Sequence, residues 1–209
     1  MNSSIKQSVR FYLILFSIFM VVFAWSAINP YDRITWFLEV LPAVLALPIL
    51  VMTYKLFPLT HLLYGLILLH AVILMIGGHY TYAEVPLFNW LRDTCSLDRN
   101  YYDRVGHFFQ GFVPAIIARE ILCRMHVVKE GWQFFIVCCI CLSISACYEF
   151  IEWWVAVLAG GAAIDFLGTQ GDVWDTQWDM LVALIGAVCA QLFLKSWHNR
   201  QLAELDRTL

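Results

Sequence analysis

The chain has 209 residues, 61% of them hydrophobic and 14% charged, with a mean hydropathy of +0.71. So few charges cannot clothe a soluble domain of this size, and the class that remains is a polytopic helical membrane protein. A net charge of -3 argues against nucleic acid as a partner and leaves membrane lipids; no protein partner can be read.

The chain reads as one all-α integral membrane domain over residues 1–209, a bundle of six transmembrane helices. The first, at about 11–28, follows Lys6 and Arg10. It is longer than the apolar core of a signal peptide and has a poor cleavage site near Ala24 and Ser26, so it reads as a retained helix. Pro30 stops it. The second, at about 34–54, carries Pro42 and Pro48 as tolerated kinks. The third spans about 59–78. A polar loop over 79–104 follows, then helices at about 105–122, 133–159 and 175–197 and a charged tail that is a short helix or a frayed end. The seven cysteines form no C-x-x-C pair and read as small packing residues.

Lysine and arginine set the orientation. With the N-terminus in the cytoplasm, Lys6, Arg10, Lys55, Arg119, Arg124, Lys129, Lys195, Arg200 and Arg207 lie inside. Arg33, Arg92, Arg99 and Arg104 lie outside. That is the positive-inside bias, and it puts both termini in the cytoplasm. Trp25, Trp36, Trp90, Trp153, Trp154, Trp174 and Trp178 then form an aromatic belt at the outer interface.

The stretch at 165–180, D-F-L-G-T-Q-G-D-V-W-D-T-Q-W-D-M, holds four aspartates and no lysine or arginine, between two apolar runs. Acids at the mouth of a membrane helix are costly and mark a site. In this topology His79, Asp103, His107, Glu149, Glu152, Asp172, Asp175 and Asp179 share the outer side of the membrane. Spacing places them on helix faces: Asp103 and His107 are four apart, Glu149 and Glu152 three, and Asp172, Asp175 and Asp179 three and four. The same faces continue inward as small residues. The rows are Gly111, Ala115, Ala118; Cys138, Cys141, Ser145; and Ala183, Gly186, Ala190. Small residues mark close helix approach, so the acids should face one another.

So many carboxylates cannot all stay ionised in a low-dielectric site; protons or cations must neutralise some of them. The candidate partners are a divalent metal ion, the two histidines, and Arg104 or Arg92. The eight residues named are the candidate metal ligands, with an oxygen-rich balance that suits a harder ion than structural zinc. No H-E-x-x-H or E-x-x-H motif is present, so the signal is a cluster rather than a fingerprint.

Simpler roles stand beside these. Asp172 and Asp175 can cap and charge the start of the last helix. Asp165 reads as a solvated loop residue, and Gly168-Thr169-Gln170-Gly171 as a turn. His61 and His70 read as packing residues, and Glu39 is ambiguous. Arg119 reads as a snorkelling arginine and Glu120 as a surface acid.

The motifs Y-D-R-V-G-H-F-F-Q-G over 102–111, R-E at 119–120, Y-E-F-I-E-W over 148–153 and the aspartate stretch at 165–180 carry a resemblance. Together they resemble the YjdF family of bacterial inner-membrane proteins, along the whole chain. The resemblance implies a multi-pass protein of the bacterial cell inner membrane and supplies no activity. A shorter pattern, Asp172, Asp175, Asp179 and Gly186, is similar to VanZ-like membrane proteins, and no role is transferred from it.

Three functions fit these residues. The first is an enzyme acting on a lipid or lipid-linked substrate, with Glu149, Glu152 and His107 catalytic and a divalent metal as the candidate cofactor. The second is a non-enzymatic membrane factor that binds a partner or lipid, its acids serving as structural glue. The third is an ion- or proton-coupled transporter. Against the third stand the absence of an inverted repeat and the confinement of the acids to one leaflet.

Overall fold

The computed structural model describes residues 3–159 and 169–207. These residues form seven α-helices: α1 (Ser3–Ser26), α2 (Arg33–Thr53), α3 (His61–Tyr80), α4 (Pro86–Cys95), α5 (Tyr102–Arg124), α6 (Glu130–Ala159) and α7 (Asp175–Asp206). The protein is all-α, and α1, α2, α3, α6 and α7 are long and apolar enough to cross a membrane. The remaining long helix, α5, carries Asp103 and Arg104 at one end and Arg119, Glu120 and Arg124 at the other, which shortens its apolar middle.

Local chemistry sets the ends. Asp32 caps α2, its carboxylate accepting the Thr35 N–H at 2.7 Å, and Thr60 caps α3. Pro86 sits in the first turn of α4, where its missing N–H costs nothing. The expected polar loop at 79–104 therefore contains a helix. Its short amphipathic pattern was hidden by Pro86 and by the polar residues around it. The tail is helix as well, to Asp206, because it has something to pack on: His198 and Leu202 are buried, and Gln201 accepts the Leu62 N–H at 2.8 Å.

The long helices alternate in direction. α3 runs antiparallel to α5: Thr60 meets Glu120 at one end, and the Tyr102 hydroxyl donates to the Ile73 carbonyl at 3.0 Å near the other. α5 and α7 run the same way and make the most extensive helix pair. α6 lies against both. Of the small residues expected in a row on each of these helices, Gly111 and Ala115, Cys141 and Ser145, and Ala183, Gly186 and Ala190 are buried, while Ala118 and Cys138 are half-buried. A dry layer of Leu63, Ala115, Ile116, Val137, Cys141, Ala187 and Ala190 fills the middle of the bundle. α1 and α2 both pack on α3 with little contact between themselves. Large apolar side chains such as Leu158, Phe193 and Met52 cover the outside, as lipid contact requires.

Candidate functional site

α5 begins at Tyr102, so Asp103 and His107 do lie one turn apart on one face. That face meets the starts of α7 and α2 and the far end of α6. Asp103, His107, Glu149, Glu152, Asp175 and Asp179 are all buried together there. His107 is the hub. Its Nε2 lies 3.5 Å from Asp103 and 3.6 Å from Asp179, and its Nδ1 lies 3.9 Å from Glu149 Oε1 and 3.2 Å from Gln110 Oε1.

The acids divide into two sets. Two arginines hold the aspartates. Arg104 contacts Asp179, and its Nη2 lies 2.6 Å from Asp175 and 3.3 Å from Asp172. Arg99 contacts Asp175 and lies 3.4 Å from Asp103. Asp172 also accepts the Trp174 N–H at 2.9 Å in a turn ahead of α7; it does not cap the helix as expected, because the N-cap position is Trp174, which has no side-chain cap hydrogen bond. Arg92, the other expected partner, stays on the surface with Asp93 at 2.9 Å. Arg99 takes that place because the chain before α5 is anchored. Gln170 exchanges two 2.9 Å hydrogen bonds with the Asn100 backbone, and Asn100 bonds the Val85 carbonyl and Asn89. Gln170 is thus a docking residue, beyond the turn role expected of it. Asp165 and Gly168 lie outside the described residues.

The glutamates form the second set. Among the described residues no lysine or arginine pairs with Glu39, Glu149 or Glu152. Glu149 Oε1 is buried with no hydrogen-bond partner. Glu39 is buried and accepts from the Tyr148 hydroxyl at 3.0 Å. An acid inside an apolar run was the only signal that could have assigned it to this site. A cavity of about 160 Å³ adjoins this set, lined by Glu39, His70, Tyr82, Asp103, His107 and Glu152 among others. Tyr82 reaches it because Gly77 and Gly106 make room: a Cβ on either would lie 2.2 or 2.7 Å from the ring.

His79 does not join the cluster. It hydrogen-bonds the Ser26 carbonyl at 3.0 Å and packs on Trp25, with ring centroids 4.6 Å apart. It ties α3 to α1.

Donor atoms of His107, Glu149 and Glu152 lie within 4.8 Å of one another, as do those of Asp103, His107 and Asp179. Donors on an ion at ~2.1 Å stand at most ~4.2 Å apart, so the first set would close with small side-chain shifts. The aspartates of the second set already hold arginine.

A second polar cluster lies at the other end of the bundle, ~20 Å along α5. Glu120 is fully buried there, not a surface acid. It accepts from Thr60 N at 3.0 Å, Thr60 Oγ1 at 2.8 Å and His198 Nε2 at 2.9 Å. Arg119 is buried and donates to His198 Nδ1 at 2.6 Å, and Arg124 donates to the Pro58 carbonyl at 2.6 Å. Buried acid is therefore present at both ends, with the dry middle layer between. The signal that was missed is helix continuity. Once α7 runs past residue 197, His198 falls opposite Glu120.

Lipid-length apolar helices around a buried network of acids, histidines and arginines define a polytopic helical membrane protein. The chain belongs to the family described as "Predicted membrane protein (DUF2238)", whose model matches residues 11–200. It is 51% identical over 183 residues to the "Inner membrane protein YjdF" of Escherichia coli (strain K12), covering 87% of this chain and 88% of that protein. No solved structure matches it.

Proposed function

We propose that the chain crosses the membrane six times, with both termini cytoplasmic, and carries a periplasm-facing catalytic site for a lipid or lipid-linked substrate. The alternation of helix directions supports counting α5 as a span. Its 23 residues cover ~34 Å, enough for a hydrocarbon core of ~30 Å, and α3 and α7 shield its charges. The lysine and arginine bias supports the orientation.

One observation carries the site. Glu149 Oε1, buried without a hydrogen-bond partner, stands 3.9 Å from His107 and close to Glu152, while the neighbouring aspartates are held by Arg99 and Arg104. His107, Glu149 and Glu152 are the ligands for a divalent cation, which would polarise an ester or phosphate oxygen or activate water. Glu152 and His107 also line the cavity, so a cation held there would face it. Membrane lipids are the partner.

Metal analysis of protein purified without chelator tests this. About one divalent ion per chain is expected in wild type, lost in Glu149→Gln and retained in Asp172→Asn. A wild-type chain free of divalent metal removes the cation from the proposal.

The second reading, an acid cluster that only joins helices, is favoured by the Arg99 and Arg104 network. It accounts for the aspartates and leaves the three glutamates without a role. The transporter reading is weakened by the dry layer, which separates the two polar clusters.

A further inference from the structure

Proline has no N–H, so a proline inside a helix leaves the carbonyl four residues earlier without its helical donor. Pro42 in α2 and Pro114 in α5 do this to Leu38 and Gln110. Within a membrane such a carbonyl must find another donor, because lipid supplies none. Both prolines line one space, the cavity of about 160 Å³ beside the glutamates.

That space has the size and the chemistry of a water site. At ~30 Å³ per molecule it takes ~5 waters, and it lies below the ~300 Å³ at which sites for larger ligands begin. Glu39, Tyr82, Asp103, Gln110, Tyr148 and Glu152 line it and offer both donors and acceptors. On α5 it runs from Asp103 to Pro114, ~16 Å, from the outer end of the helix to its middle. His70 lines it too, and His70 Nε2 is buried with no hydrogen-bond partner, a costly state for a polar atom. Directly below Pro114, Ala115 and Ile116 begin the dry layer. Ile144 and Tyr148 line both this space and an apolar face of α6, and so stand between the two.

We propose that this cavity is a buried water site, a cluster of ~5 molecules held between α2, α3, α5 and α6. The cluster reaches from Asp103 and Glu152 to His70. It donates to the Leu38 and Gln110 carbonyls and pairs with His70 Nε2. For its role it rests on the preceding reading: it supplies, from inside the protein, the water that the site would activate. It ends at the dry layer and so does not join the two faces of the membrane. His70 is then a water-binding residue, not the packing residue that its isolation in an apolar run suggested.

The test is radiolytic footprinting of the full-length protein in lipid nanodiscs. X-ray pulses turn bound water into hydroxyl radicals where it sits, and peptide mass spectrometry finds the side chains they modify. Tyr102 is the control, a buried tyrosine that does not line the cavity. In wild type, Tyr82 and Tyr148 should be modified about tenfold faster than Tyr102, because internal water places the radical source beside them. After rapid mixing into oxygen-labelled water, the label should reach Tyr82 later than the exposed Trp90, because held water exchanges slowly. Ile144→Trp, which narrows the cavity, should slow modification of both tyrosines and leave Trp90 as it was. Equal rates for the three tyrosines in wild type overturn the proposal, whether or not the variant folds. So does label that reaches Tyr82 as fast as Trp90, which would make the space a cleft open to bulk water. Metal content is measured on the same samples. Glu149→Gln should lose metal and keep the modification of Tyr82, so failure of the cation site and failure of the water site give different results.

Discussion

Gly111 of α5 lies so close to Ala183 of α7 that a Cβ atom on the glycine would fall 1.7 Å from the Ala183 carbonyl oxygen. Gly186 repeats the relationship, with its Cβ position 2.0 Å from the Phe108 carbonyl. The two helices touch backbone to backbone, and this contact brings Asp103 and His107 against Asp175 and Asp179. Gly111→Ala must push the backbones apart, at or above the ~3 kcal/mol upper end of ordinary overpacking. Thermal unfolding in detergent should show a large loss of Tm. Gly65→Ala, at a position open within 4 Å, should leave Tm unchanged or raised.

Arg104 meets four aspartates, Asp103, Asp172, Asp175 and Asp179. Arg104→Met leaves buried Asp179 without an arginine and the other three with Arg99 alone, a loss of ~3–5 kcal/mol. Arg104→Lys keeps the charge but not the planar fork and should fall between the two. Equal Tm for all three proteins would mean that the network does not hold α5 to α7.

Glu120 and His198 test the other end. Arg119 can only donate, so His198 Nδ1 accepts and Nε2–H donates to Glu120. Glu120→Ala strands Thr60 and His198 in a buried site and should cost ~3–5 kcal/mol. It should leave metal content untouched, because the dry layer separates it from Glu149. Metal loss in Glu120→Ala would contradict that separation.

Asp32 gives a pH dependence outside the spans. The Thr35 N–H bonds its carboxylate and holds its pKa below the usual 3.8. A depressed folded-state pKa contributes stability that is present above 3.8 and lost as pH falls through the folded value. Asp32→Ala should cost ~1 kcal/mol at neutral pH, and that difference should shrink as the pH falls below the unfolded value. A gap between the Tm values that is constant down to acid would exclude the cap as its cause.

Cysteine labelling tests the orientation. Cys95 is exposed at the end of α4, on the acid side of the bundle, and Cys123 lies near the opposite end of α5. A membrane-impermeant thiol reagent applied to intact cells should label Cys95 and spare Cys123. The reverse pattern would place the acid cluster in the cytoplasm.

The sequence by itself determined the membrane class, the course of the long helices and the faces on which the acids stand. These depend on composition and on spacings of three and four residues, both local properties of the chain. Helix ends at Tyr102 and Asp206, and α4 inside a polar loop, depended instead on what the ends dock against. Pairing was decided only by tertiary structure. Arg99 rather than Arg92 meets the aspartates, His79 turns to Ser26 and away from the cluster, and Glu39 enters the site through Tyr148. Glu120 finds His198 across 78 residues of chain. The physical reason is that burying a charge in lipid is costly whichever partner neutralises it. Composition can therefore reveal that a partner must exist, and only the packing of distant helices selects which one it is.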